Sequence, residues 1–122
     1  MATVYTSVGE AMVCDMIHAG SACYIGWGTG AGSAAKGSTD LSTPATEARV
    51  AGAETQPSAD ICQWVATITA DGNKTITNAG LFDAAGSGSP PSGGNLLIHG
   101  DGINTALLTG DKIEFTITLE QT

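Results

Sequence analysis

The chain has 122 residues, 12 of them acidic and 4 basic, for a net charge of −8. That length suggests one domain with one core. The charge speaks against direct nucleic-acid binding, which needs clustered Lys and Arg, and against an anionic membrane surface; Lys36, Arg49, Lys74 and Lys112 are scattered. Only 13% of residues are charged and 17 are glycine, against a usual charged share of ~25%, so the surface is expected to be rich in Thr, Ser, Asn and Gly, as in a β protein with many turns.

In chain order, residues 8–19 are the helix candidate. Ser7 is placed to cap it, with Glu10 at capping-box spacing, and Met12, Val13, Met16 and Ile17 form an apolar stripe that Gly20 ends. Residues 22–28 read as a strand through Tyr24, Ile25 and Trp27, with Gly26 and Gly28 signalling a bulge or a close backbone approach. Residues 29–45 form a long loop, of the kind that is functional, disordered or held by a partner. Residues 46–55 are expected to be an edge strand with Arg49 and Glu54 exposed, broken at Pro57.

Residues 60–70 alternate, with Cys62, Trp64, Ala66 and Ile68 on one face. Asp71-Gly72-Asn73 is a hairpin-turn signal, and the next strand spans 74–84. A second pliable loop, 86–94, carries Pro90 and Pro91. Strands at 95–99 and 112–120 follow, with Leu107 and Leu108 in a short strand or turn between them. In the last strand Ile113, Phe115, Ile117 and Leu119 point one way and Glu114, Thr116, Thr118 and Glu120 the other. The expectation is one β-rich unit over 1–122: mainly β, an antiparallel sandwich or jelly-roll-like fold, with one short N-terminal helix.

No catalytic, cofactor or metal site is expected. The cluster Gly26, Gly28, Gly30 and Gly32 fits neither G-x-G-x-x-G nor a P-loop. His18 and His99 lack further ligands at sensible spacing, no nucleophile-elbow motif is present, and Asp71, Asp83, Asp101 and Asp111 sit beside turn residues. Cys14, Cys23 and Cys62 are odd in number and irregular in spacing, which favours buried free thiols over a disulfide framework and fits assembly in a reducing cytoplasm. The N-terminus lacks a basic region followed by an apolar run, so no signal peptide is expected, and no apolar stretch approaches the ~18 residues of a membrane span.

In order along the chain, an N-terminal helix, Tyr24 to Gly30, a Ser/Thr/Ala-rich loop, Thr46 to Arg49, Gly80 to Ala84, Gly93 to Leu97 and the alternating Ile113 to Leu119 resemble short virion proteins of tailed bacteriophages. Such proteins include capsid decoration (cement) proteins and tail-fibre-like proteins. No coiled-coil shaft or repetitive stalk is present, a departure from a complete tail fibre. The resemblance implies a non-enzymatic cement protein on the capsid exterior, assembled in the host cytoplasm. It would bind the major capsid protein as a homo-oligomer, a trimer first and a dimer second. The alternative is a tail-tip or fibre-associated protein binding a host receptor or glycan, with Trp27 as its aromatic platform. Contact candidates are Met12, Met16, Ile17, Trp27, Lys36, Leu41, Arg49, Pro90 and Pro91, carried by the helix and the two loops.

Overall fold

A computed structural model describes residues 1–121. Among the described residues the chain is mainly β with one helix. Helix α1 spans Ser7–Gly20; the strands are β1 Tyr24–Gly28, β2 Val50–Ala51, β3 Ala53–Ser58, β4 Ile61–Thr69, β5 Lys74–Ile76, β6 Asn78–Phe82, β7 Leu96–Gly100, β8 Thr105–Leu107 and β9 Lys112–Glu120. They form three antiparallel sheets, ordered β2-β1-β6-β7, β3-β4-β9 and β5-β8. This arrangement is compatible with a sandwich; the narrower jelly-roll expectation is not confirmed by these strand orders.

The two larger sheets share a core. Period-two alternation puts Ile25 and Trp27 of β1, Leu81 of β6 and Ile98 of β7 on one face. Against them pack Cys62, Trp64, Ala66 and Ile68 of β4, with Phe115 and Ile117 of β9 half-buried beside them. Trp27 meets Phe115 edge-to-face, ring centroids 6.0 Å apart.

Every residue of β6 is buried, because the far face of its sheet is covered as well. There Gly26, Gly28 and Gly80 leave room for the segment 41–44 to lie on the strands. A Cβ on Gly28 would come within 2.5 Å of the Ser42 carbonyl oxygen. The Gly-rich run therefore permits close backbone approach, one of the two readings its sequence offered. The cover is tied down by Thr29 N–H to Thr43 O (3.0 Å), Gly30 N–H to Ser42 O (2.9 Å) and Ala45 N–H to Trp27 O (3.1 Å).

Several expectations are corrected. Thr6, not Ser7, is the N-cap, its hydroxyl accepting from Gly9 N–H (3.1 Å), which shifts the start of the helix by one residue and leaves Glu10 out of capping-box register. The expected strand 46–55 is two pieces in different sheets, β2 and β3, with Gly52 between them, and β3 runs on through Pro57 with a register shift. The expected strand 74–84 likewise divides into β5 and β6, so the turn at 71–73 passes the chain between sheets instead of closing a hairpin.

Cys14 and Cys62 are joined by a disulfide, Cα atoms 5.9 Å apart, which tethers α1 to β4. Of the three expected free thiols only the buried Cys23 remains, and burial pushes its pKa up, with Glu54 and Asp83 adding to the rise. The bridge closes a separation of 48 residues, so reduction or Cys14→Ser is expected to cost about 2–4 kcal/mol. Thermal unfolding with and without a phosphine reductant checks this; equal midpoints would refute it.

Candidate interaction surface

The segment Thr46-Glu47-Ala48-Arg49 sends its side chains in two directions. Glu47 accepts from the Trp27 indole N–H (2.8 Å) and from Asp71 N–H (2.9 Å), and pairs with Lys74. Thr46 donates to the Asp71 carboxylate (2.8 Å), and Lys74 also reaches Asp71 (2.8 Å). Burial works against a charged Glu47, but the hydrogen bonds from Lys74, the Asp71 backbone and Trp27 outweigh it and hold the carboxyl below the ordinary range. Burial likewise opposes a charged Lys74, and its bonds to Asp71 and Glu47 reverse the effect and raise its pKa.

Arg49 goes the other way. Its guanidinium lies over the Phe82 ring, 3.5 Å from the centroid, and donates to Ala84 O (3.0 Å) and Gly93 O (2.8 Å). Burial lowers its pKa, while Asp40 and Asp83 act to raise it. Asp83 is itself held low by the backbone and side-chain amides of Asn95. The second loop is thus fastened to the sheet through Gly93.

A third cluster ties down the first loop. Asn78 is fully buried; its Oδ1 accepts from Ser42 N–H (3.0 Å) and its Nδ2 donates to Ser42 O (3.1 Å). His99 Nε2 lies 3.1 Å from the same Oδ1, and Nδ1 lies 3.0 Å from Ser38 Oγ. An amide oxygen only accepts, so the Nε2 nitrogen carries a proton, which leaves Nδ1 of the neutral ring to accept from the Ser38 hydroxyl. Ser38, His99 and Asn78 therefore form a relay beside a cavity of about 240 Å³ lined also by Ala35, Lys36, Leu96 and Leu97. A nucleophilic serine would also need donors aimed at a developing oxyanion. The Ser38 N–H is spent on Ala35 O (3.0 Å). What the relay does geometrically is hold residues 35–42 against β6 and β7.

The contact candidates separate cleanly by burial. Met12 and Met16 are exposed, at 56% and 60%; Lys36 and Pro90 are exposed too, and Ile17 is half-buried against the core. Trp27 is only 2% exposed, and Leu41, Arg49 and Pro91 are buried. These four are corrected as contact residues. Trp27 is taken by the core and Glu47, Leu41 by the space over Gly26 and Gly80, and Arg49 by Phe82. Glu54, expected in solvent, has a side chain only 10% exposed beside His18.

The surface that sequence reasoning missed is the N-terminal approach to the helix. Met1, Val4, Tyr5 and Val8 join Met12 and Met16 as exposed large hydrophobics, leaving only Leu97 and Leu108 elsewhere among the described residues. Val8, Met12 and Met16 recur every four residues, which puts them on one helix face. No group of three or more His, Cys, Asp or Glu among the described residues is placed to hold a metal, and no helix is long and apolar enough to cross a membrane. No family model, curated protein or solved structure matches the chain.

Proposed function

We propose that this protein is a bacteriophage capsid decoration protein, which binds the assembled shell and stabilises contacts between major capsid subunits without catalysing a reaction. The observation that carries the reading is the concentration of exposed apolar side chains on one helix and its lead-in, Met1 to Met16. A concentration of exposed apolar side chains of this kind marks a protein interface. Both long loops are fastened to the sheet through Asn78 and Arg49, which leaves the helix and its lead-in as the main apolar surface. A protein that binds the lattice and not free subunits stabilises the lattice by mass action. The order of motifs shared with phage virion proteins supports the same assignment.

The glycan-binding alternative at a tail tip needs an exposed aromatic platform, and Trp27 and Trp64 are both in the core. The test is the copy number of the chain in purified particles, measured by quantitative mass spectrometry against the major capsid protein. A simple lattice ratio is the expected result. A ratio of a few per cent would move the protein to the tail, and absence from particles would overturn a virion role.

A further inference from the structure

We infer that β9 is a self-association edge, and that two copies of this chain join their β3-β4-β9 sheets through antiparallel β9–β9 pairing about a two-fold axis at Thr116. This rests on the sheet and not on the virion reading.

β9 ends its sheet: its nine residues pair with β4 along one side without a register shift, and no strand among the described residues pairs with the other. An unpaired row of backbone N–H and C=O groups is a template for a further strand. The opposite edge, β3, is interrupted by Pro57 and a register shift, both of which discourage pairing. β9 carries no such guard. Its inner face is also unfinished. Cys62, Trp64, Ala66 and Ile68 on β4 are buried, but Ile113, Phe115, Ile117 and Leu119 alongside them are only half-buried.

The sequence of the edge selects the occupant and the register. With the axis at Thr116, Ile113 faces the partner copy's Leu119 and Phe115 its Ile117, so the half-buried row covers itself twice. On the outer face Lys112 meets Glu120 at both ends. Moving the axis to Ile117 sets Glu114 opposite Glu120, a like-charge pair, and moving it to Phe115 sets Asp111 opposite Leu119. A single register therefore matches both apolar residues and charges, and a two-fold contact of this kind is self-complementary.

The partner's turn before β9, with Leu108 65% exposed, arrives beyond Glu120. There Gln121 holds the N-terminal segment, Nε2 donating to Glu10 O (3.0 Å) and Oε1 accepting from Tyr5. The assembly is a dimer, in place of the trimer expected first from sequence.

Sedimentation velocity and light scattering on the full chain test the proposal. The expected mass is twice the 12.2-kDa chain. Lys112→Glu and Glu120→Lys should each raise the dimer dissociation constant about tenfold, because symmetry counts the altered pair twice. The double charge swap should restore it. Thr116→Cys should give a disulfide-linked dimer bridged at position 116 under mild oxidation, a readout that does not depend on the charge variants. A monomer at every concentration, a trimer, or a dimer indifferent to both charge reversals and not bridged at position 116 would overturn the proposal.

Discussion

Replacing Arg49 with alanine is expected to cost about 3 kcal/mol, and replacing it with lysine should recover less than half of that loss. The guanidinium does three things at once. It stacks on Phe82 at 3.5 Å, worth about 0.5–2 kcal/mol. It gives two charge-assisted hydrogen bonds to the carbonyls of Ala84 and Gly93, and its stem fills space over Gly26. Lysine keeps the charge and most of the stem but has no planar face to lay on the ring. For a chain of this size the alanine variant should melt roughly 10 °C lower. Calorimetry of the three proteins decides it. A lysine variant as stable as the wild type would mean that charge alone holds the site.

Arg49 also shows where the sequence stopped being legible. Residues 46–55 read as an edge strand with Arg49 exposed, because Thr46-Glu47-Ala48-Arg49 carries no strong apolar signal. The fate of a lone arginine depends on which ring and which carbonyls the fold brings to it. Leu41 shares that property: its burial follows from loop 29–45 folding back over glycines, a contact between segments that no local pattern encodes. The disulfide is the same case, since the 48-residue separation of Cys14 and Cys62 says nothing about their distance in space.

Periodicity succeeded where one strand stays in one sheet. Lys112–Glu120 and Ile61–Thr69 emerged nearly as read, because strict alternation is the direct imprint of a strand with one buried face. It failed where the chain changes sheet. Lys74–Ile76 and Asn78–Phe82 look continuous, yet they pair with different neighbours. The available signal was Asn78, a polar residue inside an apolar run, which marks the point where the strand meets the covering loop. In the helix the apolar stripe divides between two sides. Cys14 and Ile17 face the body, so Met12 and Met16 face out.

Glu47→Ala is expected to be the most damaging single change at the Trp27 edge, at about 2–3 kcal/mol, because it leaves a nearly buried ammonium with only the exposed Asp71 as its carboxylate partner and strips two N–H donors of their acceptor. The Glu47 and Lys74 side chains are 5% and 12% exposed, and the Trp27 indole and Asp71 amide lose their acceptor together with Lys74. Glu47→Gln keeps the shape and one acceptor, so it should cost less and act mainly through pH. In the folded protein Glu47 is held below its ordinary pKa, with burial opposing and the bonds from Lys74, Asp71 and Trp27 prevailing. A carboxyl lowered by folding stabilises the protein above its unfolded pKa, and that stability drains away as pH falls through the lowered folded value. Asp71 and Asp83 are shifted the same way, Asp71 chiefly by Lys74 and Asp83 by Asn95. Glu54 is shifted oppositely: burial raises its pKa against the pull of His18, so its contribution grows as pH falls. The wild type should therefore lose stability progressively between about pH 5 and pH 2, and Glu47→Gln should flatten that limb without abolishing it. Melting temperatures across this range check the sign. An unchanged acid slope in the glutamine variant would show that the Glu47–Lys74 pair contributes nothing to stability beyond its shape.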